Sequence, residues 1–410
     1  MQGGSWGLKA SLVAGVLAWL ALGPFWRPSQ EQVLKVPQDF PTIQAALDAA
    51  PEGALILIAP GVYRENLKIA KSLTLEGSGI DVTILEPVPR DENSYNPIIT
   101  VSPSRSEWNL SLKNLTLRRS PLALSNSYGR TPGVKIIETE QAVTHPRLTF
   151  IQTKWEGLWA ILTRLMIDRL TVQKSIFVFA NIIEGGEVRE AEIASNVMVY
   201  SSFAPFEGHH VVIRDNVIHG EISLDLALGG EAEIVENIIT NGGIFFYQEG
   251  ERARWIVRRN YFEYSPTAIA ISVSGESLLD ALIEENRIKG GNIGIQISLN
   301  VGSWPTGKIQ LIKNLIMGLS DYDWRFPQPS RSAGIDIISN VLTWPPEGPV
   351  EIEISENTIM ANRGCGVALD AGSLYQINPP RITGRDNELA YNEKGDLCPP
   401  DYPWPPGFRK

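Results

Sequence analysis

One short motif recurs along this chain: an apolar-polar alternation runs into an asparagine and resumes on an apolar residue. The copies read SLKNLTL at Asn114, EIASNVM at Asn196, VIRDNVI at Asn216, EIVENII at Asn237, IVRRNYF at Asn260, LIEENRI at Asn286, LIKNLIM at Asn314, EISENTI at Asn357 and ITGRDNEL at Asn387. From Asn196 to Asn314 the steps are 20, 21, 23, 26 and 28 residues. Each step holds one short coil of strands and turns and has no room for a crossover helix between parallel strands. Units of this period bury a core only by stacking on their neighbours, which predicts an all-β solenoid: a single-stranded right-handed parallel β-helix. Earlier in the chain, LTFIQTKW and LTVQKSIF put Thr153 and Ser175 in the place that asparagine holds later.

Between the asparagines a second run recurs, led by glycine or another small residue: GEISLDL, GGIFFY, TAIAISV, GIQISL, GIDIIS and GVALDA. Two strands per coil are therefore expected. Strand alternation turns every second residue inward. It assigns Ile222 and Leu224, Ile269 and Ile271, Ile295 and Ile297, Ile335 and Ile337, and Val367 and Leu369 to aliphatic columns along the axis. The asparagines have a mechanical use of their own. Asparagine tolerates left-handed backbone angles at a sharp turn, and its amide can bond to the same amide one coil away, so a side-chain ladder is predicted at one corner. Turn chemistry accounts for these residues without a catalytic role.

The open strand edges at the ends of a solenoid pair with other chains unless they are covered. Pro41 to Ala50 places Ile43, Ala46, Leu47 and Ala50 on one helical face and stops at Pro51-Glu52-Gly53, which predicts an N-terminal capping helix over 41–50. At the other end the repeat gives way to CPPDYPWPPGF, where proline cannot extend a ladder. The expected organisation is a signal peptide or membrane anchor over 1–30, one β-helix domain over 31–392 that includes the capping helix, and a Pro-rich tail over 393–410.

In the first segment Lys9 precedes an apolar stretch from Ala10 to Trp26, and polar sequence follows Arg27. These 17 residues sit at the short edge of what crosses a bilayer, which favours a released chain over an anchored one, although Pro24 after Ala21-Leu22-Gly23 makes a poor peptidase junction. The chain is then secreted, periplasmic or at the cell surface, meets a membrane only through this segment, and is expected to be a monomer. A net charge of −10 without a run of Lys or Arg makes a phosphate backbone a poor partner and sets nucleic acid aside. Two cysteines, Cys365 and Cys398, leave room for one late disulfide and for no CxxC metal site.

Residues 39 to 79, DFPTIQAALDAAPEGALILIAPGVYRENLKIAKSLTLEGSG, resemble the opening of pectin-methylesterase-like and other pectin-lyase-superfold β-helix proteins. The later coils are similar to the general right-handed β-helix repeat, which includes carbohydrate-binding and sugar-hydrolysis domains and periplasmic accessory proteins of nitrous oxide reductase. The resemblance implies a fold that hosts many functions. The catalytic elements of the esterase do not carry over, because the chain has no QDT segment, no DFIFG-like strand and no GRPW arginine. Gly61-Val62-Tyr63-Arg64-Glu65 matches the family and reads as a capping turn with Tyr63 packed.

Residues between the inward positions of the second run face outward and form a column: Ser223 and Asp225, Phe245 and Tyr247, Gln296 and Ser298, Asp336, then Asp370. Such a face could hold a long polymer. Asp336 and Asp370, offset by one coil and two residues, would fall within the roughly 6.5 to 9.5 Å that suits an inverting glycosidase pair. Their ordinary reading is as solvated surface carboxylates. Late insertions carry aromatics: Trp304 in NVGSWPTG, Tyr322, Trp324 and Phe326 in SDYDWRFPQPS, and Trp344 in NVLTWPPEGP. Their rings either stack on sugar faces or fold their loops back on the coil. His209, His210 and His219 share the segment GHHVVIRDNVIHGE, but no His-x-His or cysteine partner completes a metal set there.

No metal and no other cofactor is expected, and no GxSxG, HExxH, P-loop or GxGxxG stands in a suitable context. The reading is a β-helix that binds polysaccharide or a cell-surface glycan through Asp225, Tyr247, Gln296, Trp304, Trp324 and Trp344. The alternatives are a glycoside hydrolase or polysaccharide lyase that uses Asp336 and Asp370, and a non-catalytic scaffold or copper accessory protein.

Overall fold

The computed structural model describes residues 32–408 except 89–95, 103–106, 120–131, 137–144, 163–165, 185–186, 202, 226–228, 251, 301–304, 321–331, 342–348 and 371–379. The export segment therefore lies outside the described residues. No described helix is long and apolar enough to cross a membrane.

The chain winds into a right-handed parallel β-helix whose coils contain three strands, not two. A leading strand, such as Glu187–Ala194, Gly230–Val235 or Ala253–Arg258, runs into the asparagine motif. A short strand of three residues follows, as in Val197–Val199, Val217–His219 and Ile238–Thr240. A closing strand then completes the turn, as in Ile222–Asp225, Ile244–Glu249 and Ala333–Ser339. Three residues are too few for an alternation to show in the sequence, where the leading and short strands read as one run through the asparagine. In two coils the short and closing strands fuse, in Tyr261–Ser274 and Arg287–Leu299.

The predicted core stands as drawn. Ile222 pairs with Ile244, Ile244 with Ile269, Ile269 with Ile295, Ile295 with Ile335 and Ile335 with Val367, and all six are fully buried. Each buried aliphatic side chain contributes roughly 1.5–3 kcal/mol, and stacking like on like leaves few voids.

The corner between leading and short strands carries the amide ladder. The backbone N–H and side-chain Nδ2 of Asn196 both donate to Asn216 Oδ1, at 2.9 and 3.0 Å. The same pattern passes through Asn237, Asn260, Asn286, Asn314, Asn357 and Asn387. Each amide also donates to a carbonyl inside the corner, as Asn237 Nδ2 does to Ile213 O at 2.9 Å. Thr153 and Ser175 extend the row as expected, with their hydroxyls 3.0 Å apart and Ser175 N donating to Asn196 Oδ1 at 2.9 Å.

Two details depart from the sequence reading. The left-handed backbone belongs to the residue before each ladder asparagine, with φ of 58° at Ser195, 57° at Asp215 and 58° at Glu236. The asparagine itself points inward. Asn114 is not a rung: it occupies the left-handed slot at φ 52°, donates to Glu76 Oε1 at 3.1 Å, and leaves the inward place to Leu115, which pairs with Thr153. The buried series Leu110, Leu112, Leu115 and Leu117 sets that register, and a slip of one residue would turn it to solvent.

Both ends are covered. The capping helix is Ile43–Ala49, shorter than the predicted 41–50 because Thr42 is its N-cap, with Thr42 Oγ1 accepting from Ala45 N at 3.1 Å. Glu65 adds a second cap, its carboxylate accepting from Ile43 N and Gln44 N at 3.0 and 2.9 Å. Tyr63 is packed, as expected, and donates to Ala59 O at 3.0 Å. At the far end Leu397–Cys398 adds a last strand, and a disulfide joins Cys398 to Cys365. The proline-rich tail folds back: Trp404 and Phe408 are buried, and the Phe408 ring lies where a side chain on Gly384 would stand.

Candidate functional site

The outer faces of the three strand series differ in chemistry. On the leading strands, charges of opposite sign alternate from coil to coil: Arg189 meets Asp168 at 2.8 Å, Arg258 meets Glu233 at 2.6 Å and Lys308 meets Glu353 at 2.8 Å, with Arg169 on Glu190 between them. This face neutralises itself. Lys308, followed by Gln310, holds the Glu353 carboxyl below the usual carboxylate range by hydrogen bonding.

The closing strands carry the columns that alternation predicted. One runs Ser223, Phe245, Ala270, Gln296, Asp336, Ala368, and the other runs Asp225, Tyr247, Ser272, Ser298, Ile338, Asp370. Tyr247 is 47% exposed, and Phe245, Gln296, Ser272 and Ser298 are half-buried. Asn300 Nδ2 donates to Ser272 Oγ at 3.1 Å, which ties the second column to the coil edge. Two rings on one strand, Phe245 and Tyr247, are thus followed over the next two coils by Ser272, Gln296 and Ser298, at a coil spacing of about 4.8 Å.

Asp336 departs from expectation. It is not a solvated surface carboxylate but is 1% exposed, within a strand buried on both faces, and Gln296 Nε2 approaches its Oδ2 at 3.4 Å. Alternation fixes which side a residue faces but not whether that side is covered. Three rungs earlier the same side of Ile244–Glu249 is open at Tyr247. Asp370 stands one coil on and two residues further, opposite Ile338, in the predicted offset. The side chains of Asp225 and Asp370, together with Trp304, Trp324 and Trp344 and their neighbours Tyr322 and Phe326, lie outside the described residues.

The histidines do not converge. His210 lies on a leading strand opposite Glu231, beside His209, whereas His219 ends a short strand beyond the amide corner. His219 Nδ1 is 3.1 Å from Thr240 Oγ1 and 3.3 Å from Asn241 Nδ2. Among the described residues no three His, Cys, Asp or Glu side chains come together to hold a metal ion.

One feature escaped the sequence reading. The fourth residue after each ladder position, at the corner between short and closing strands, also has positive φ, and several of these residues are exposed aromatics: Phe179, Tyr200, Tyr264 and Tyr391, at φ of 50°, 50°, 54° and 58°. The signal was present as an aromatic four places beyond Ser175, Asn196, Asn260 and Asn387.

No protein-family model matches the chain, and no curated protein matches it. Among solved structures, it is similar to a Yersinia enterocolitica family 28 exopolygalacturonase, with 10% identity over 90% of this chain and 78% of that one and a TM-score of 0.33. It is similar to a periplasmic alginate epimerase at 12% identity over 87% and 84%, TM-score 0.37. The A-module of an Azotobacter vinelandii mannuronan C-5 epimerase matches at 13% over 87% and 92%, TM-score 0.35. Scores this low leave the fold assignment resting on the strand ladders themselves, and these ladders make the chain a right-handed parallel β-helix with a helical cap at its front.

Proposed function

We propose that this protein binds polysaccharide along the outer face of its closing strands. The observation that carries the reading is the in-register set of Phe245, Tyr247, Ser272, Gln296 and Ser298. Rings supply flat apolar surface for the C–H faces of a sugar, and amides and hydroxyls supply its hydrogen-bond partners. Asp225 and the Trp304, Trp324 and Trp344 segments flank this face in sequence and complete it in this reading. The setting is extracytoplasmic, supported by the export-type segment around Lys9 and by a disulfide of the kind that persists in oxidising compartments. The protein acts as a monomer.

Native gels cast with soluble polysaccharides test this directly. Retention of the full chain should weaken by about tenfold in Tyr247→Ala and by a smaller factor in Gln296→Ala, since one stacked ring is worth about 0.5–1.5 kcal/mol. Retention of Tyr247→Ala equal to that of the parent chain removes this face as the site.

A hydrolytic or lyase reading is favoured by one observation, the burial of Asp336 beneath the same face. Buried carboxylates with a second carboxylate one coil away are the equipment of acid-base chemistry on glycosidic bonds. Release of reducing ends or unsaturated uronates that vanishes in Asp336→Asn supports it. Binding that persists in that variant without any turnover in the parent chain rejects it.

A further inference from the structure

We propose that the outer corner running from Phe179 to Asn241 is a second carbohydrate site, one that takes a neutral hexose or pentose chain. It does not rest on the closing-strand reading, because its residues belong to a different corner of the coil.

Phe179 and Tyr200 are 62% and 61% exposed, so burial does not explain them. Local conformation does not explain them either. Both hold left-handed backbone, while the same column accepts glycine at Gly157, Gly290 and Gly318. Bulky residues in that region are disfavoured, and glycine would relieve both positions.

Their rings are stacked, with centroids 5.1 Å apart and planes 8° from parallel. That separation is close to the coil spacing of about 4.8 Å, and both rings stay more than half exposed. One coil before Phe179 the same column holds Gly157, and the Arg119 side chain lies 3.6 Å from where a Cβ on that glycine would stand. On the other side, the His219 ring meets Tyr200 edge-on at 4.6 Å, and Thr240 and Asn241 hold His219 in place. The short strands alongside present Val197, Val217 and Ile238 at 40%, 46% and 44% exposure.

Flat apolar rings rimmed by a hydroxyl, an amide and an imidazole match the alternating C–H faces and hydroxyl edges of a sugar. Thr240 and Asn241 at the Tyr200 end are uncharged, which favours a neutral glycan over a uronate or a phosphate polymer there, while Arg119 borders the Phe179 end beside Gly157.

The full chain is run in native gels containing xylan, hydroxyethylcellulose or galactomannan, with alginate as the charged comparison. The chain should be retarded by at least one neutral polymer and less by alginate. Phe179→Gly and Tyr200→Gly, which suit the backbone, should each weaken retardation by about tenfold while the melting temperature stays level or rises. Retardation that is lost in Tyr247→Ala but kept in both glycine variants overturns this inference and leaves the closing-strand site standing. Two other results also overturn it: a fall in melting temperature on losing either ring, which makes the rings structural, or indifference to every neutral polymer together with self-association abolished by Tyr200→Gly, which makes the corner a protein contact.

Discussion

The two corners on either side of the short strand bend the backbone alike and use the bend differently. Each has a column of positive φ running along the axis: Ser195, Asp215, Glu236 and Arg259 at the first, Phe179, Tyr200, Asn241 and Tyr264 at the second. At the first corner the residue after the bend turns inward, and its amide is bonded on every side, so a fully satisfied polar network holds the coils in register. At the second the bend residues turn outward, and the residues behind them make a sparser inner row: Ser201 Oγ accepts from Ala180 N at 3.0 Å, and in the later coils Asn362 accepts from Leu319 N and donates to Asn392 Oδ1. The first corner is accounted for by its own hydrogen bonds, whereas the exposed rings at the second are what the proposed second site rests on.

The sharpest way to break this contrast is to remove a rung. Asn237→Ala leaves the N–H of Asn216 without its acceptor, leaves Asn216 Nδ2 with Ile193 O alone, and takes from Asn260 Oδ1 the side-chain one of its two donors, all in a buried corner. Unmet buried donors cost about 1–3 kcal/mol each, so urea melts should show a loss of about 3 kcal/mol. A loss below about 0.5 kcal/mol would mean that water or a neighbouring carbonyl replaces the rung, and the ladder would not be what fixes register.

At the second corner the sign should reverse. Tyr391 is 86% exposed at φ 58°, so Tyr391→Gly gives up little packing and relieves a backbone that L-residues avoid. The left-handed penalty of about 1–2 kcal/mol outweighs the extra entropy glycine loses, about 0.5–1 kcal/mol, which predicts a gain of up to about 1 kcal/mol. Destabilisation instead would show that the ring is held by contacts of its own and that the two corners are alike.

These two corners also mark how far the sequence could be read. The ladder and the aliphatic columns through Ile269 and Ile295 were legible because each repeats at a fixed place in every coil and each has a local physical cause. The assignment of Asn114 failed because an asparagine motif was weighed without the leucines that set its register. The third strand was invisible at three residues. The burial of Asp336 was out of reach for another reason: alternation reports facing, and cover comes from chain far away in sequence. The aromatic corner stands at a constant offset from the ladder but breaks the expectation that a bend residue is small.

Acid provides the finest separation. The amide ladder has no titrating group, so the deficit of Asn237→Ala should be the same at neutral and acidic pH. The leading-strand face does titrate. Glu353 is held below its ordinary value first by Lys308 and then by Gln310, so the stability it adds is present above the usual carboxylate range and is lost as pH falls through its lowered folded value. Glu353→Gln should therefore melt slightly below the parent chain at pH 7, and the two should converge below about pH 4. The pair is partly exposed, which keeps the effect to a degree or so. Convergence of Asn237→Ala with the parent over the same range would place a charge inside the first corner and undo the distinction between the two.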